Sequence, residues 1–221
     1  MPTLDLGVLV SGTGTNLQAI IDAVGGGTLD ARVRLVLSNK PGVAALQRAA
    51  AAGIPTQVLS HKSFPQRESF DRALVAALRE AGVTWVVLAG FMRILTPVFL
   101  DAFPMRVVNI HPALLPAFAG VDAQAQALAY GVRITGCTVH FVDSGTDTGP
   151  IIAQAPVPVL PGDTRDSLAH RILEREHESL VTVLQWIAED RVSVVRSSTG
   201  SRPRVVVKGR SPLLGTSAEA R

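Results

Sequence analysis

The chain has 221 residues, 47% of them hydrophobic and 18% charged, with 21 basic side chains against 18 acidic ones. A chain this apolar collapses in water and can build one good-sized domain or two small ones, which excludes disorder throughout. Its apolar runs, such as Trp85–Gly90, fall far short of the roughly 20 residues of a bilayer helix, so no membrane span is expected. Leu4–Val10 reads as a first strand, interrupted only by Asp5 and Gly7. A Ser/Gly/Thr turn leads into a helix over Asn16–Val24, a strand over Arg32–Ser38, and an Ala-rich helix over Val43–Ala52 that ends at Gly53. Thr56–Leu59 is a short strand. Phe70, Leu74, Ala77, Leu78 and Ala81 recur at helical spacing, so Arg67–Ala81 is an amphipathic helix stopped by Gly82. Thr84–Ala89 is a strand apolar on both faces, as in a buried parallel sheet.

In the second half, Arg106–His111 is a strand, Pro112–Gly120 a loop, Asp122–Tyr130 a helix and Ile134–Val142 a strand. The turn-rich loop Asp143–Pro150 leads to a strand over Ile151–Pro158 and a long helix over Thr164–Asp190, with Asp163 or Thr164 as N-cap. Strands alternating with helices predict an α/β fold: a Rossmann-like, mostly parallel sheet with helices on both faces and one antiparallel strand in the second half. Residues 1–195 are expected to form a single domain, with an N-terminal half 1–105 and a C-terminal half 106–195. Beyond Val195, Ser, Gly, Pro and Arg dominate, which predicts a flexible extension carrying one short strand, Val205–Lys208.

The formal net charge of +3 invites a nucleic-acid reading until the charges are located. Residues 196–221 hold six basic side chains (Arg196, Arg202, Arg204, Lys208, Arg210, Arg221) and one acid, Glu219, so the remainder carries 15 basic and 17 acidic groups. The basicity belongs to the tail, and no aromatic residue that could stack on a base follows Trp186. No nucleic-acid partner is expected. One cysteine, Cys137, excludes an intrachain disulfide and a multi-cysteine metal site. No secretory signal opens the sequence, and a reduced, cytoplasmic setting is expected.

Four segments could carry chemistry. Ser11-Gly12-Thr13-Gly14-Thr15-Asn16 joins the first strand to the first helix. Glycines there let backbone amides approach a ligand, and a helix N-terminus favours an anion, so the segment reads as a phosphate cradle or as a plain tight turn with an N-cap. Leu17 occupies the third glycine position of a dinucleotide fingerprint, and no Gly-Lys-Ser/Thr follows as in a Walker loop. Asn109 and His111 share one face of their strand, and Pro112 keeps His111 extended. An amide donor beside an imidazole suits a carbonyl that becomes an oxyanion; the plain alternative is a polar strand end. Asp147, in Ser144-Gly145-Thr146-Asp147-Thr148-Gly149-Pro150, either caps a turn or reaches His111, orients it and favours its charged form. His140 on a strand and Glu176 and His177 on the long helix each have a bland reading as polar or solvated-face residues. Phe91-Met92-Arg93-Ile94-Leu95 makes an apolar rim with one cation at a strand end, suited to a flat ligand bearing carboxylates or to a simple helix-capping loop.

Taken together, Ser11–Leu17, Ala89–Leu95, Asn109-Ile110-His111-Pro112-Ala113-Leu114-Leu115-Pro116 and Asp147-Thr148-Gly149-Pro150 resemble the phosphoribosylglycinamide (glycinamide ribonucleotide) formyltransferases, a folate-dependent formyltransferase family. The resemblance runs from about Leu4 to Val195, in order and with compatible spacing. It implies formyl transfer from 10-formyltetrahydrofolate, a co-substrate rather than a tightly bound cofactor, to the amino group of 5-phosphoribosylglycinamide, with no metal. By this resemblance Gly14, Thr15 and Asn16 hold the substrate phosphate, and Asn109 and His111 stabilise the tetrahedral intermediate. Asp147 pairs with His111 and helps relay a proton, His140 supports the site, and Glu176 meets the glycinamide portion. Met92, Arg93, Ile94 and Leu95, together with Asn109 and the loop Asp143, Ser144, Gly145, Thr146, Asp147, enclose the folate, with Arg67 near its tail. Small-molecule substrates and a monomer or weak homodimer are implied.

The chain departs from the family pattern at Leu173, where members usually carry Lys or Gln, at Ala119, in place of a common proline, and at Gln124, in place of a frequent histidine. A relative acting on methionyl-tRNA or hydrolysing formyltetrahydrofolate would bring an additional domain, and only a short segment flanks the region of resemblance on either side. The purine-pathway reaction is therefore the expectation. Removing residues 200–221 is expected to leave activity and stability nearly unchanged.

Overall fold

The first seven-residue strand, β1 (Leu4–Val10), is buried on both faces: Leu6, Val8, Leu9 and Val10 have no exposed surface. A computed structural model describes residues 3–195, 202–209 and 211–214, which fall into two units, Met1–Asn109 and Ile110–Arg221. In the first unit β1 is followed by α1 (Thr15–Gly25), β2 (Ala31–Ser38), α2 (Ala44–Ala51), β3 (Thr56–Val58), α3 (Arg67–Glu80), β4 (Trp85–Leu88), α4 (Pro97–Ala102) and β5 (Val107–His111). The strands lie in the order β3-β2-β1-β4-β5, and their pairings are parallel, from Leu4 opposite Ala31 to Leu88 opposite Asn109. Gly7 serves a packing purpose: a Cβ there would lie 2.5 Å from Leu78 Cδ2 of α3. Phe70, Leu74 and Leu78 form the buried stripe that the spacing predicts for α3. Helix α4 was not anticipated, because a six-residue segment carries too little periodicity to register.

In the second unit the end of β5 leads through a loop to α5 (Ala123–Tyr130), β6 (Ile134–Phe141), β7 (Ile151–Pro158), α6 (Arg165–Ala188), β8 (Val192–Val195) and β9 (Arg204–Val207). β6 and β7 are antiparallel, the expected departure from a parallel sheet, with a register shift between Val139 and His140. The fold is α/β and mostly parallel. α6 starts with a capping box in which Thr164 Oγ1 accepts from Ser167 N and Ser167 Oγ accepts from Thr164 N. Just before it, Arg171 donates twice to the Asp163 carboxylate, at 2.8 and 2.9 Å, holding that carboxyl well below its usual range.

The C-terminal segment corrects an expectation. The expected short strand is present one residue earlier, as β9 (Arg204–Val207), but it pairs antiparallel with β8, a strand the sequence does not signal. Further on, Gln154 N donates to Pro212 O and Leu214 N donates to Gln154 O, so residues 212–214 are bonded to β7. Over its described residues the basic segment is therefore not a free extension. The rest of that expectation, residues 196–201, 210 and 215–221, lies outside the described residues. Composition misled here because backbone hydrogen bonding to an edge strand needs no apolar pattern.

Candidate active site

The first unit presents a backbone-built turn. Gly14 is the N-cap of α1 at φ +73°, in the left-handed region, and a Cβ there would lie 2.5 Å from Ala45 Cβ. A side chain at this position is thus doubly disfavoured. The first bond of the helix is Gln18 N to Gly14 O, no side chain caps the helix, and no acid stands in its first turn. The leading amides of Thr15 and Asn16 are those a helix start offers to an anion. Ser11 braces the turn: its buried Oγ donates to Asn39 Oδ1 at 2.6 Å and accepts from Met92 N at 2.9 Å. The rim loop is thereby fixed at Met92, while the Met92 and Ile94 side chains stay exposed and Arg67 donates to Ile94 O at 2.8 Å.

The second unit carries the titratable cluster. His111 ends β5 and is buried; its Nδ1 lies 3.4 Å from Asp147 Oδ2, and its Nε2 donates to Phe118 O at 2.8 Å. His140 is also buried, with Nδ1 donating to Phe141 O at 2.8 Å and Nε2 lying 3.8 Å from Asp147 Oδ1. Burial pushes the His140 imidazole below its ordinary value, so it is a neutral neighbour of the carboxylate. The β6 register shift falls at this residue, and an extra residue in one strand locally bends it and changes where side chains point. Asp147 is held at φ +54°, and its Oδ2 accepts from Gly120 N at 2.8 Å. Asp143 closes the loop by accepting from Gly145 N and Thr148 Oγ1, while Ser144, Gly145 and Thr146 remain exposed. A Cβ on Gly149 would collide with the Phe141 carbonyl oxygen, which is why the turn after Asp147 requires glycine there.

Glu176 is on the buried stripe of α6, not on a solvated face. The bland reading fails because α6 packs on β6 and β7 over the turns where Leu168, Ile172, Glu176 and Leu180 recur at every fourth position. Cys137 lies close to Glu176; burial pushes its thiol up to about 12, so it is protonated and not nucleophilic at neutral pH. Among the described residues, no group of three His, Cys, Asp or Glu side chains is placed to hold a metal ion, and no helix is long and apolar enough to cross a membrane.

A family model described as formyl transferase matches residues 5–184. The chain belongs to the formyl transferase family. It is 43% identical over 191 residues to the phosphoribosylglycinamide formyltransferase of Escherichia coli K12, covering 86% of this chain and 90% of that protein. It is 55% identical over 172 residues to the trifunctional purine biosynthetic protein adenosine-3 of Drosophila melanogaster, covering 77% of this chain but only 13% of that relative's length. The crystal structure of glycinamide ribonucleotide transformylase 1 from Symbiobacterium toebii superimposes with a TM-score of 0.87 at 46% identity, over 93% of this chain and 94% of that one.

Within this formyl transferase the structure brings His111, His140 and Asp147 together, and places Gly14, Thr15 and Asn16 at one helix start. Asn109 occupies the residue of β5 that pairs with Leu88, one position before the chain passes into the second unit. Leu173 is half-buried on α6, and nothing in the structure explains why it replaces a polar residue. Sequence reasoning missed the backbone groups of Phe118 and Gly120, which carry no side-chain signature. It also missed Ser11 and Asn39 as the brace of the Ser11–Asn16 turn, since two polar residues 28 positions apart give no sign of contact.

Proposed function

We propose that this formyl transferase moves the formyl group of 10-formyltetrahydrofolate to the amino group of 5-phosphoribosylglycinamide, giving formylglycinamide ribonucleotide and tetrahydrofolate in de novo purine biosynthesis. The buried contact between His111 and Asp147 carries the reading, because it supplies an oriented imidazole on the strand that also bears Asn109. The amine nitrogen attacks the formyl carbon, a C–N bond forms, and the carbonyl oxygen becomes an oxyanion. Collapse of the intermediate breaks the bond to N10 of the folate, which receives the proton lost by the amine. A deprotonated primary amine is already a nucleophile, so the protein's share is orientation and oxyanion stabilisation.

Asn109 and His111 are the oxyanion donors, each worth on the order of 3 kcal/mol. As Nε2–H of His111 donates to the Phe118 carbonyl, that hydrogen bond passes to the oxyanion as the intermediate forms, while Asp147 holds the other ring nitrogen. His140, neutral through burial, adds no competing positive charge beside Asp147. Gly14, Thr15 and Asn16 take the substrate phosphate and Glu176 its glycinamide end. Arg67, Met92–Leu95, Asn109 and Asp143–Asp147 enclose the folate. Residues 1–195 act as one catalytic domain on small molecules in the cytoplasm, as a monomer or weak homodimer, with no metal, nucleic acid or membrane involved.

The test is an assay with 10-formyltetrahydrofolate and a panel of amine acceptors, following tetrahydrofolate release. Turnover confined to 5-phosphoribosylglycinamide is expected; turnover with another acceptor, or with water alone, overturns the assignment.

A further inference from the structure

The loop 112–120 supplies the backbone groups that hold two members of the cluster, the Phe118 carbonyl for His111 and the Gly120 amide for Asp147. Its own anchorage lies on β6 and β7, in residues with no part in the chemistry above. The fully buried Thr138 hydroxyl donates to Ala113 O at 2.7 Å and accepts from Leu115 N at 3.0 Å. Gln154 Nε2 donates to Thr138 Oγ1 at 3.0 Å and to Leu115 O at 2.9 Å. A hydroxyl has one proton and two lone pairs, and an amide nitrogen two protons, so Thr138 Oγ1 and Gln154 Nε2 are both saturated by this one arrangement. Any other placement of Ala113 and Leu115 leaves a buried polar group without its partner. On its backbone side Gln154 is bonded in turn to Pro212 and Leu214.

We infer that Thr138 and Gln154 are positioning residues: through them β6, β7 and residues 212–214 fix the loop 112–120, and with it the orientation of His111 and Asp147. This rests on the proposed function insofar as His111 and Asp147 perform the chemistry. A displacement of about 1 Å at a reacting group costs on the order of 10²-fold in rate, so an anchor two to four residues beyond His111 acts on turnover rather than on substrate affinity.

Thr138→Val keeps the volume and removes the hydroxyl. Its kcat is expected to fall about 10–100-fold, with KM for either substrate changed less than about 3-fold, and Thr138→Ser restores kcat to within about 3-fold. Truncation after Gly209 removes the bonds to Pro212 and Leu214 and, contrary to the unchanged activity that composition suggests for loss of the tail, is expected to lower kcat about 2–5-fold, by loosening β7 at Gln154. Rates are taken well below each melting temperature, so that a loss of stability alone does not move them. A Thr138→Val enzyme with unchanged kcat and only a lower melting temperature, or a Thr138→Ser enzyme no better than Thr138→Val, overturns the inference. A readout free of activity separates it from the proposed function: the His111 imidazole N–H signal in nitrogen-15 NMR, assigned by its loss in His111→Gln. Thr138→Val is expected to shift or broaden that signal as the bond to Phe118 O loosens, and an unchanged signal overturns the inference even if the wild-type enzyme proves to use another acceptor.

Discussion

In the Ser11–Asn16 turn the groups offered to a ligand are main-chain amides at the start of α1, whereas in the cluster of the second unit they are side chains of β5, β6 and the loop after β6. The turn is made by one segment of chain, with open space for a Cβ at Gly12 but none at Gly14. The cluster depends on three side chains and on two carbonyls, of Phe118 and Phe141, that accept from its imidazoles. A backbone site is therefore broken by adding an atom, and a side-chain site by removing one.

Each construction can be attacked in its own way, and the expected effects run from large to small. His111→Ala removes the proposed oxyanion donor, and formyl transfer should fall about 10²–10³-fold at full saturation while circular dichroism reports an intact fold; near-normal turnover would show that the cluster is not the reacting centre. Asp147→Asn keeps the shape but discards the charge, so kcat should drop by at least about 10-fold with a displaced pH–rate profile. A profile superimposable on that of the wild type would mean that the 3.4 Å contact with His111 has no chemical role.

Gly14→Ala attacks the turn. With φ at +73° and Ala45 in the way, the substitution should cost about 1–3 kcal/mol of stability. It should raise KM for the phosphorylated substrate several-fold more than KM for the folate, as steady-state kinetics would reveal. Equal changes in both constants would remove the distinction between a phosphate cradle and a plain turn.

The smallest effect concerns His140. Burial holds its folded value below the 6.5 of the free side chain. Between those two values the unfolded chain binds a proton that the folded chain refuses, so stability rises with pH across the window and is lost as pH falls below about 6.5. In melts at pH 7.5 and 5.5, the fall in melting temperature should be smaller in His140→Gln than in the wild type. An equal fall would assign the acid sensitivity to other groups.

Much of the fold was legible because its signals are local. The alternation of apolar strands with the periodic stripe of α3 and the glycine after it needs only neighbours in sequence, and the elements fall within a residue or two of expectation. α4 and β8 escaped because both are short and carry no pattern of their own, and β8 is defined only by its pairing with β9. In the tail the short strand lies within one residue of expectation, but the main-chain bonds of Pro212 and Leu214 to Gln154 leave no mark on composition.

At the site the division is sharper. A strand, two glycines and a helix start in succession determine a tight turn ending on the leading amides of a helix, and Pro112 after His111 determines an extended strand end. Thus the sequence by itself determined an α/β chain with an anion-favouring turn and an amide beside an imidazole, together with motifs specific enough to resemble one family. Only the tertiary structure decided that Asp147 meets His111 and His140, that Glu176 is buried, and that Thr138 and Gln154 hold the loop supplying Phe118 and Gly120. The physical reason is range. Backbone geometry follows from residues one to four apart, whereas contacts between side chains depend on where strands distant in sequence pair and where a register slips.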